Sequence, residues 1–183
     1  MFKQDPRFEK TEIAIQESFL HLLTTKSCSK ISVKEICQLA QISRNAFYQH
    51  YETKNHLYQA MQTDILLAME EAFRPIVDNP KDIQEAEKRK FINNILTAVE
   101  QQKNKIYHLL RSKPDYFSLA FRDILVRSCI KSSHQLPESI NFAYLHVFSG
   151  AVSSYISYWL LETDLTLEEA QQQLYNTLEL FGT

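Results

Sequence analysis

Residues 32–58, SVKEICQLAQISRNAFYQHYETKNHLY, decide the fold of this chain because they predict two short helices joined by a tight turn. Ser32 and Glu35 have the spacing of a capping box, in which each side chain satisfies a backbone N–H group of the other residue. Apolar residues then recur at helical spacing on one face. They are Val33, Ile36, Cys37 and Ala40. The first helix is therefore predicted to begin after Ser32 and to end near Gln41.

A second short helix is predicted from Arg44 to about His50, with Ser43 as its cap. The Ser43 hydroxyl can accept a hydrogen bond from a free N–H group at the helix N-terminus. Only Phe47, and Tyr51 just beyond it, are expected to be buried. A short helix with so few buried residues is typical of the DNA-reading helix-turn-helix arrangement. The outward positions are Arg44, Asn45, Ala46, Tyr48, Gln49 and His50.

The same stretch resembles the recognition segment of the tetracycline-repressor (TetR) family of transcription regulators. In that family the segment reads as a small or polar residue, an aromatic, Tyr, any residue, His, Phe, two residues, Lys, two residues and Leu. Here residues 46–57 read AFYQHYETKNHL, and the resemblance covers about residues 8–61. Asn45 stands where Gly is frequent, Ala46 where Thr is frequent, and Tyr51 where Phe is usual. Because Ala46 lacks a hydroxyl that often contacts DNA, base preference does not transfer from the family.

The resemblance implies an all-α fold of about nine helices. A three-helix helix-turn-helix DNA-binding domain is expected at residues 1–58. A long fourth helix, capped by Thr53 and running to about Arg74, should link it to a helical-bundle domain for effector binding and dimerisation at residues 59–183. The hydrophobic pattern agrees, with breaks at residues 77–82 and 135–137. The apolar stripe expected on the first helix consists of Ile13, Phe19, Leu20, Leu22 and Leu23.

The composition is that of a globular protein, with 183 residues, 44% hydrophobic residues, 23% charged residues and 2 Gly. The net charge of −2 does not exclude a nucleic-acid binder, since affinity depends on local neutralisation of phosphates. Residues 1–60 carry 8 Lys or Arg against 6 Asp or Glu, whereas residues 61–183 carry 12 against 16. The positive excess thus falls in the predicted DNA-binding domain.

Several classes of protein are not favoured by the sequence. No apolar run reaches membrane-spanning length, and the polar N-terminus is unlike a signal peptide. The cysteines at positions 28, 37 and 129 have neither metal-site nor disulfide-framework spacing, so a reduced cytoplasmic setting is expected. No H-E-x-x-H motif, Gly-rich phosphate loop or nucleophile elbow is present. We therefore expect no catalytic residues, no metal and no cofactor.

Nine residues are candidate DNA contacts. Arg44, Asn45 and Gln49 are candidates for base edges, because Arg can pair with guanine and Asn or Gln with adenine. The Tyr48 hydroxyl can reach a phosphate or a base. Lys54, in the first turn of the fourth helix, can hold a phosphate together with the N–H groups there. The other candidates, expected near the DNA backbone, are Ser32, Lys34, Ser43 and His50, and the alternative for His50 is packing at the turn.

The penultimate helix carries a face of small residues, which would let another helix approach closely. The TetR resemblance implies homodimerisation through the last two helices and therefore binding to a palindromic operator in double-stranded DNA. The expected dimer interface consists of Ser149, Gly150, Ser153, Ser157, Leu167, Leu174 and Leu178. The alternative is that the small face packs within the monomer.

The second domain is rich in aromatic residues. The TetR resemblance implies a cavity for a small hydrophobic or aromatic effector, whereas the simpler alternative is that the aromatics fill the core. The candidate ligand residues are Tyr107, His108, Phe117, Phe121, Tyr144, Phe148, Tyr155 and Trp159. The expected function is a transcriptional repressor that an effector releases from its operator. The alternative is a helix-turn-helix regulator whose second domain binds a protein partner.

Overall fold

The computed structural model describes residues 6–73, 85–132 and 142–180. These ranges contain nine α-helices, two 3₁₀ turns and no β-strand, which confirms the predicted all-α class. The helices are α1 (Pro6–Thr25), α2 (Val33–Leu39), α3 (Arg44–His50), α4 (Lys54–Met69), α5 (Glu85–Gln101), α6 (Lys103–Ser112), α7 (Pro114–Ser132), α8 (Phe142–Glu162) and α9 (Leu167–Glu179). The 3₁₀ turns are Cys28–Lys30 and Glu70–Phe73.

The ends of α4 combine a predicted cap with an unpredicted change of helix type. The hydroxyl of Thr53 accepts a hydrogen bond of 3.0 Å from the N–H group of His56, as expected of a cap. The regular helix ends at Met69 and continues as a 3₁₀ turn, whereas the sequence pattern predicted an unbroken helix to about Arg74. The breaks predicted at residues 77–82 and 135–137 lie outside the described residues.

The chain divides into two compact units, Met1–Asp64 and Ile65–Thr183, and the division falls inside α4. The sequence placed the domain boundary nearby, after residue 58. The functions assigned to the two domains remain predictions.

In the first unit, α1 packs against α2 and α3. Ile15, Phe19 and Leu23 are spaced four residues apart on α1 and are buried. The expected stripe was wrong at Ile13, which is 48% exposed. Two residues along a helix correspond to a rotation of about 200°, so Ile13 and Ile15 cannot share one face.

In the second unit, α8 lies along α7, and α9 packs against α5. The core includes Leu96, Leu109, Val152 and Leu174, all buried. A capping box starts α9, with the Thr166 hydroxyl accepting from the N–H group of residue 169. Burial of these apolar faces contributes most of the stability of the unit.

Tyr175 connects α9 to the beginning of α5. The Arg89 guanidinium lies 3.5 Å from the centre of the Tyr175 ring, a cation–π contact. The Tyr175 hydroxyl lies 2.7 Å from a carboxylate oxygen of Glu179 and 2.7 Å from one of Glu85. Hydrogen bonding to Glu179 and then to Glu85 raises the pKa of Tyr175 to about 12, because the protonated hydroxyl can donate to a carboxylate and a phenolate cannot.

Two kinds of feature are absent from the described ranges. None of the helices there combines the length and apolar character needed to cross a membrane. Across the same residues, no group of three or more His, Cys, Asp or Glu side chains is arranged to hold a metal ion.

Candidate nucleic-acid interface

The first helix of the helix-turn-helix, α2, begins with the predicted capping box. The Ser32 hydroxyl accepts from the N–H group of Glu35 at 3.2 Å, and the Glu35 carboxylate accepts from the N–H group of Ser32 at 2.9 Å. The Lys26 ammonium, at the end of α1, forms an ion pair with the same carboxylate. The bond from Lys26, followed by those from Ser32, lowers the pKa of Glu35 to about 2.

The turn between α2 and α3 is a Schellman motif. The N–H group of Ile42 donates to the carbonyl of Cys37 at 3.0 Å, and that of Gln41 donates to the carbonyl of Gln38 at 3.4 Å. Gln41 has a φ of 55°, in the left-handed region that favours glycine. Since glutamine has no special preference for this region, the turn is only weakly signalled in the sequence.

The recognition helix α3 exposes the side chains that were predicted to read DNA. Ser43 caps it, its hydroxyl accepting from the N–H group of Ala46 at 3.1 Å. Phe47 is fully buried, whereas Tyr48 beside it is 54% exposed. The other exposed side chains of the helix are Arg44, Asn45 and Gln49. The helix therefore carries a guanidinium, two amides and a phenol on its outer side, all able to hydrogen-bond to phosphates or base edges.

Lys54 has a structural role that the sequence did not predict. Its ammonium donates to the backbone carbonyls of Ser29 at 3.2 Å and Ile31 at 2.5 Å. These bonds attach the first turn of α4 to the segment before α2. An ammonium has three donors, so one remains for a phosphate. The predicted phosphate contact is compatible with this arrangement and remains a prediction.

Ser32 and Ser43 are also engaged within the chain, since both hydroxyls cap helices. The Ser32 hydroxyl in addition lies 2.7 Å from Glu35 Oε2, to which it donates. Lys34 is exposed and has no ion pair among the described residues. Of the candidates near α2, Lys34 is therefore the one best placed to bind a phosphate.

His50 is turned toward α1. Its ring stacks on Phe8 with a centroid separation of 3.8 Å, and its Nδ1 atom is buried with no hydrogen-bond partner in the described part of the chain. Burial lowers the pKa of His50, because the imidazolium form would lose hydration. His50 therefore packs within the protein, which was the alternative for this residue. A contact between this ring and a DNA phosphate is not supported.

Three of the predicted ligand residues are buried in the core of the second unit. Phe117, Phe121 and Trp159 are each 1% exposed. The Trp159 indole N–H donates to the Leu165 carbonyl at 3.0 Å. These residues therefore fill the core, which is the simpler of the two alternatives that the sequence left open. Large aromatic side chains stabilise a fold most when they are completely buried.

The remaining predicted ligand residues are scattered. The Tyr155 hydroxyl lies 2.9 Å from the Ala170 carbonyl, so it connects α8 to α9. Phe148 faces Phe91 with ring centres 6.3 Å apart. The Tyr107 and His108 rings meet edge to face at 5.2 Å. The Tyr144 side chain lies outside the described part of the structure.

An open cleft of about 700 Å³ lies where the junction of α5 and α6 approaches the connection between α8 and α9. Tyr107 is the member of the predicted ligand set that lines it. Charged side chains make up much of the wall, namely Glu100, Lys103, Lys105 and Asp164. The cleft is therefore open, with a mixed polar and apolar wall, and differs from the aromatic cavity that was expected.

The predicted dimer interface on α8 was wrong at its serines. Ser149 is fully buried and Ser153 is 5% exposed within the single chain. The Ser153 hydroxyl donates to the Ser118 carbonyl on α7 at 3.0 Å, and the Ser157 hydroxyl lies 3.1 Å from that of Ser118. The small side chains let α7 approach α8 closely, so this face is already occupied.

Two of the α9 residues that were expected at the dimer interface are less buried than the third. Leu174 is buried against the core of the second unit and cannot reach another subunit, so this expectation was also wrong. Leu167 and Leu178 are partly exposed. They remain candidates for an interface.

A different face of α8 is exposed. Val147 is 72% exposed, and Tyr158 is the other large exposed side chain on this side. Ala143, Gly150 and Ser154 share the face at spacings of three or four residues. A Cβ atom added at Gly150 would meet no atom within 4 Å. An exposed stripe of apolar and small residues is suited to packing against another helix.

Comparison with known proteins places this fold among bacterial regulators. No protein-family model matches the chain. An uncharacterized HTH-type transcriptional regulator of Bacillus subtilis strain 168, YxbF, is 22% identical over 171 residues. The alignment covers 90% of this chain but only 43% of YxbF, so the chain spans less than half the length of that relative.

Solved structures extend the similarity over nearly the whole fold. A TetR transcriptional regulator from Streptococcus agalactiae 2603V is 25% identical, with a TM-score of 0.64 and coverage of 94% of this chain and 95% of that one. NalD, the secondary repressor of the MexAB-OprM multidrug efflux pump in Pseudomonas aeruginosa, is 16% identical, with a TM-score of 0.68 and 96% coverage of both chains.

Proposed function

The chain has the fold of the TetR-family transcription regulators, and from this premise we propose that it is a sequence-specific DNA-binding regulator of transcription. The observation that carries the proposal is the outer side of α3, where four polar side chains stand exposed beside a fully buried Phe47. A recognition helix needs this division, because one side must anchor it while the other enters the major groove.

The exposed residues of α3 divide naturally into two roles. Arg44, Asn45 and Gln49 have the donors and acceptors that pair with base edges. Tyr48 and Lys34 supply a phenol and an ammonium suited to phosphates, which position a protein on DNA without reading sequence. Lys54 adds its third ammonium donor to this second group.

In vitro selection of duplexes tests the reading role. The wild-type protein should enrich two inverted half-sites, and Gln49→Ala should change the preference at one position in each half-site. Gln59→Ala, at an exposed glutamine of α4, is the matched control and should return the wild-type consensus. Failure of the wild-type protein to enrich any sequence would refute the proposal, and an unchanged consensus for Gln49→Ala would remove Gln49 from the base-reading group.

We further propose that the protein acts as a homodimer through the exposed face of α8, with Leu167 and Leu178 of α9 at its edge. The Val147 side chain is 72% exposed, so covering it with a second copy of the chain would lower the free energy by removing apolar surface from water. The open space above Gly150 would allow a partner helix to approach closely. A two-fold dimer presents two copies of α3, which is the arrangement that a palindromic operator requires.

Sedimentation of the wild-type protein and of Val147→Glu tests this interface. The charged variant should shift the population from dimer to monomer, because a carboxylate would be buried without a partner. Glu168→Gln, at an exposed position of α9, changes charge outside the stripe and should remain dimeric. A wild-type protein that is monomeric at micromolar concentration would contradict the proposal.

Repression relieved by a small effector is the third part of the proposal. It is supported by the cleft beside Tyr107, whose wall includes four charged side chains that could hydrogen-bond to a ligand. An effector can release DNA only if it binds one state of the protein more tightly than the other. Binding in this cleft should therefore weaken DNA binding, and DNA should weaken effector binding by the same factor.

A screen of polar metabolites for release of the selected duplex tests the effector role. A releasing compound should lose its effect on Tyr107→Ala and keep it on Tyr116→Ala, where the tyrosine is exposed outside the cleft. Release by a cellular protein but by no small molecule would favour the alternative, a regulator whose second unit binds a protein partner.

A further inference from the structure

One stripe of α1 holds the end of the recognition helix. Phe8, Glu12 and Gln16 are spaced four residues apart on α1, so they lie on one side of that helix. All three contact His50 or Tyr51, the last residue of α3 and the residue that caps it.

The contact at Tyr51 is made by hydrogen bonds. The Tyr51 side chain is almost wholly buried, and its hydroxyl donates to Glu12 Oε1 at 3.0 Å. The same hydroxyl accepts from Gln16 Nε2 at 3.1 Å. The hydroxyl therefore acts as both donor and acceptor, and the bonds join residues that are 39 and 35 positions apart in sequence.

These bonds matter because α3 is short and is held in place only by its packing against neighbouring elements, among them α1 and α2. It has only seven residues, too few to be stable alone. Phe47 anchors its inner side and Ser43 its N-terminus. The contacts at His50 and Tyr51 then fix how far the helix is rotated about its own axis, which decides where the exposed side chains point.

Recognition of base edges tolerates little error in that rotation. Productive contacts require side chains to be held within about 0.5 Å and 10–20°. Tyr48 and Gln49 directly precede the residues that the α1 stripe holds. A small rotation of α3 would thus move the reading side chains away from their partners, while phosphate contacts, which are less directional, would persist.

We propose that the hydrogen bonds joining Glu12 and Gln16 to Tyr51 set the orientation of α3, making Tyr51 a positioning residue for sequence recognition although it contacts no base. The inference rests on the DNA-binding function proposed above. The resembled family usually has phenylalanine at this position. The inference therefore explains what the additional hydroxyl of Tyr51 does in this chain.

The test compares wild type with Tyr51→Phe, which removes only the hydroxyl. Dissociation constants are measured for the selected duplex and for an unrelated duplex. Tyr51→Phe should weaken binding to the selected duplex about tenfold, the discrimination carried by a single base contact, and change binding to the unrelated duplex less than about twofold. Equal weakening on both duplexes, or no weakening on either, would overturn the proposal.

Variants of Glu12 separate positioning from general destabilisation. The specificity ratio is the dissociation constant for the unrelated duplex divided by that for the selected duplex. Glu12→Gln keeps an acceptor oxygen and should preserve this ratio, whereas Glu12→Leu should reduce it as Tyr51→Phe does. The double variant Tyr51→Phe/Glu12→Leu should be no less specific than either single variant, since both remove the same bond. If the losses of specificity of the two single variants multiply in the double variant, Tyr51 and Glu12 do not act through the same bond.

Ile36→Val provides the stability control. Ile36 is fully buried in α2 and has no part in the α1 stripe, so this change weakens the first unit without altering the hydrogen bonds to Tyr51. It should keep the wild-type specificity ratio. A fall equal to that of Tyr51→Phe would show that destabilisation alone explains the effect and would overturn the proposal.

The wild-type measurements also separate this inference from the function on which it rests. A wild-type protein that binds all duplexes alike would overturn both. A wild-type protein that discriminates between duplexes, with Tyr51→Phe discriminating equally well, would overturn only the positioning role.

Discussion

Lys54 combines two roles in one side chain. The sequence identified a cation in the first turn of α4, where an anion is favoured by the helix terminus. It could not reveal the two carbonyls that the ammonium reaches, because Ser29 and Ile31 lie more than twenty positions earlier in the chain. Contacts of this range depend on how α4 folds back on the segment before α2.

Lys54→Ala should therefore alter both stability and DNA binding. Loss of the bonds to two carbonyls should lower the free energy of unfolding by about 1–3 kcal/mol. Loss of one phosphate contact should make the dependence of log K on log salt shallower by about 1. Chemical denaturation and binding titrations at several salt concentrations measure the two effects.

Lys34→Ala is the matched control for Lys54→Ala. Its side chain is exposed, so its removal should change the salt slope by about 1 and the free energy of unfolding by less than about 0.5 kcal/mol. If Lys54→Ala lowers stability and leaves the slope unchanged, the ammonium serves only inside the protein.

Glu35 makes the start of α2 sensitive to acid. Its pKa is lowered to about 2 by Lys26 and Ser32, below the ordinary value of 4.5. The stabilisation is therefore fully present above about pH 4.5 and is lost as the pH falls toward 2. Glu35→Gln should show a weaker loss of stability over this interval than wild type, as measured by thermal unfolding at successive pH values. Parallel curves for the two proteins would contradict the role of this carboxylate.

In α8, hydrophobic periodicity fails to show which side of the helix is buried. Apolar or small residues occur on every side of this helix, so the pattern does not say which side is inside. The sequence favoured a small face for dimerisation, whereas Ser149 is fully buried within the chain and Ser153 donates a hydrogen bond to α7. Amphipathic α2 and α3, by contrast, were predicted correctly, because each has one apolar side and recognisable caps.

Two neighbouring serines of α8 give a direct test of this orientation. Ser153→Leu should cost about 1–3 kcal/mol in the free energy of unfolding, because the added carbon atoms have no room beside α7. Ser154→Leu, on the exposed face, should change it by less than about 0.5 kcal/mol in protein kept monomeric by Val147→Glu. Similar losses for the two variants would mean that α8 is rotated from the described position.

The residues of the first unit were easier to assign from the sequence than those of the second. The all-α fold and the outward residues of α3 followed from caps, short-range periodicity and the family resemblance. The ligand and dimer residues did not, because their assignment depends on which aromatic or small side chains meet another helix of the same chain. Trp159 and Tyr155, for example, are engaged by Leu165 and Ala170 in the connection to α9 and in α9 itself.

A dimer that reads two half-sites should be sensitive to their spacing. Inserting five base pairs between the half-sites rotates one relative to the other by about half a helical turn. Affinity should then fall roughly tenfold or more, to that of a single half-site, because both copies of α3 can no longer bind together. Equal affinity for the original and lengthened duplexes, in a binding titration, would show that the subunits bind independently.

The position of Trp159 provides an optical probe of the second unit. It is the single tryptophan of the chain, and its indole is buried with its N–H group bonded to the Leu165 carbonyl. Its fluorescence should shift to longer wavelength only when that unit opens, whereas far-ultraviolet circular dichroism follows helices throughout the chain. Denaturation curves recorded with both signals would therefore reveal whether the first unit unfolds before, with or after the second.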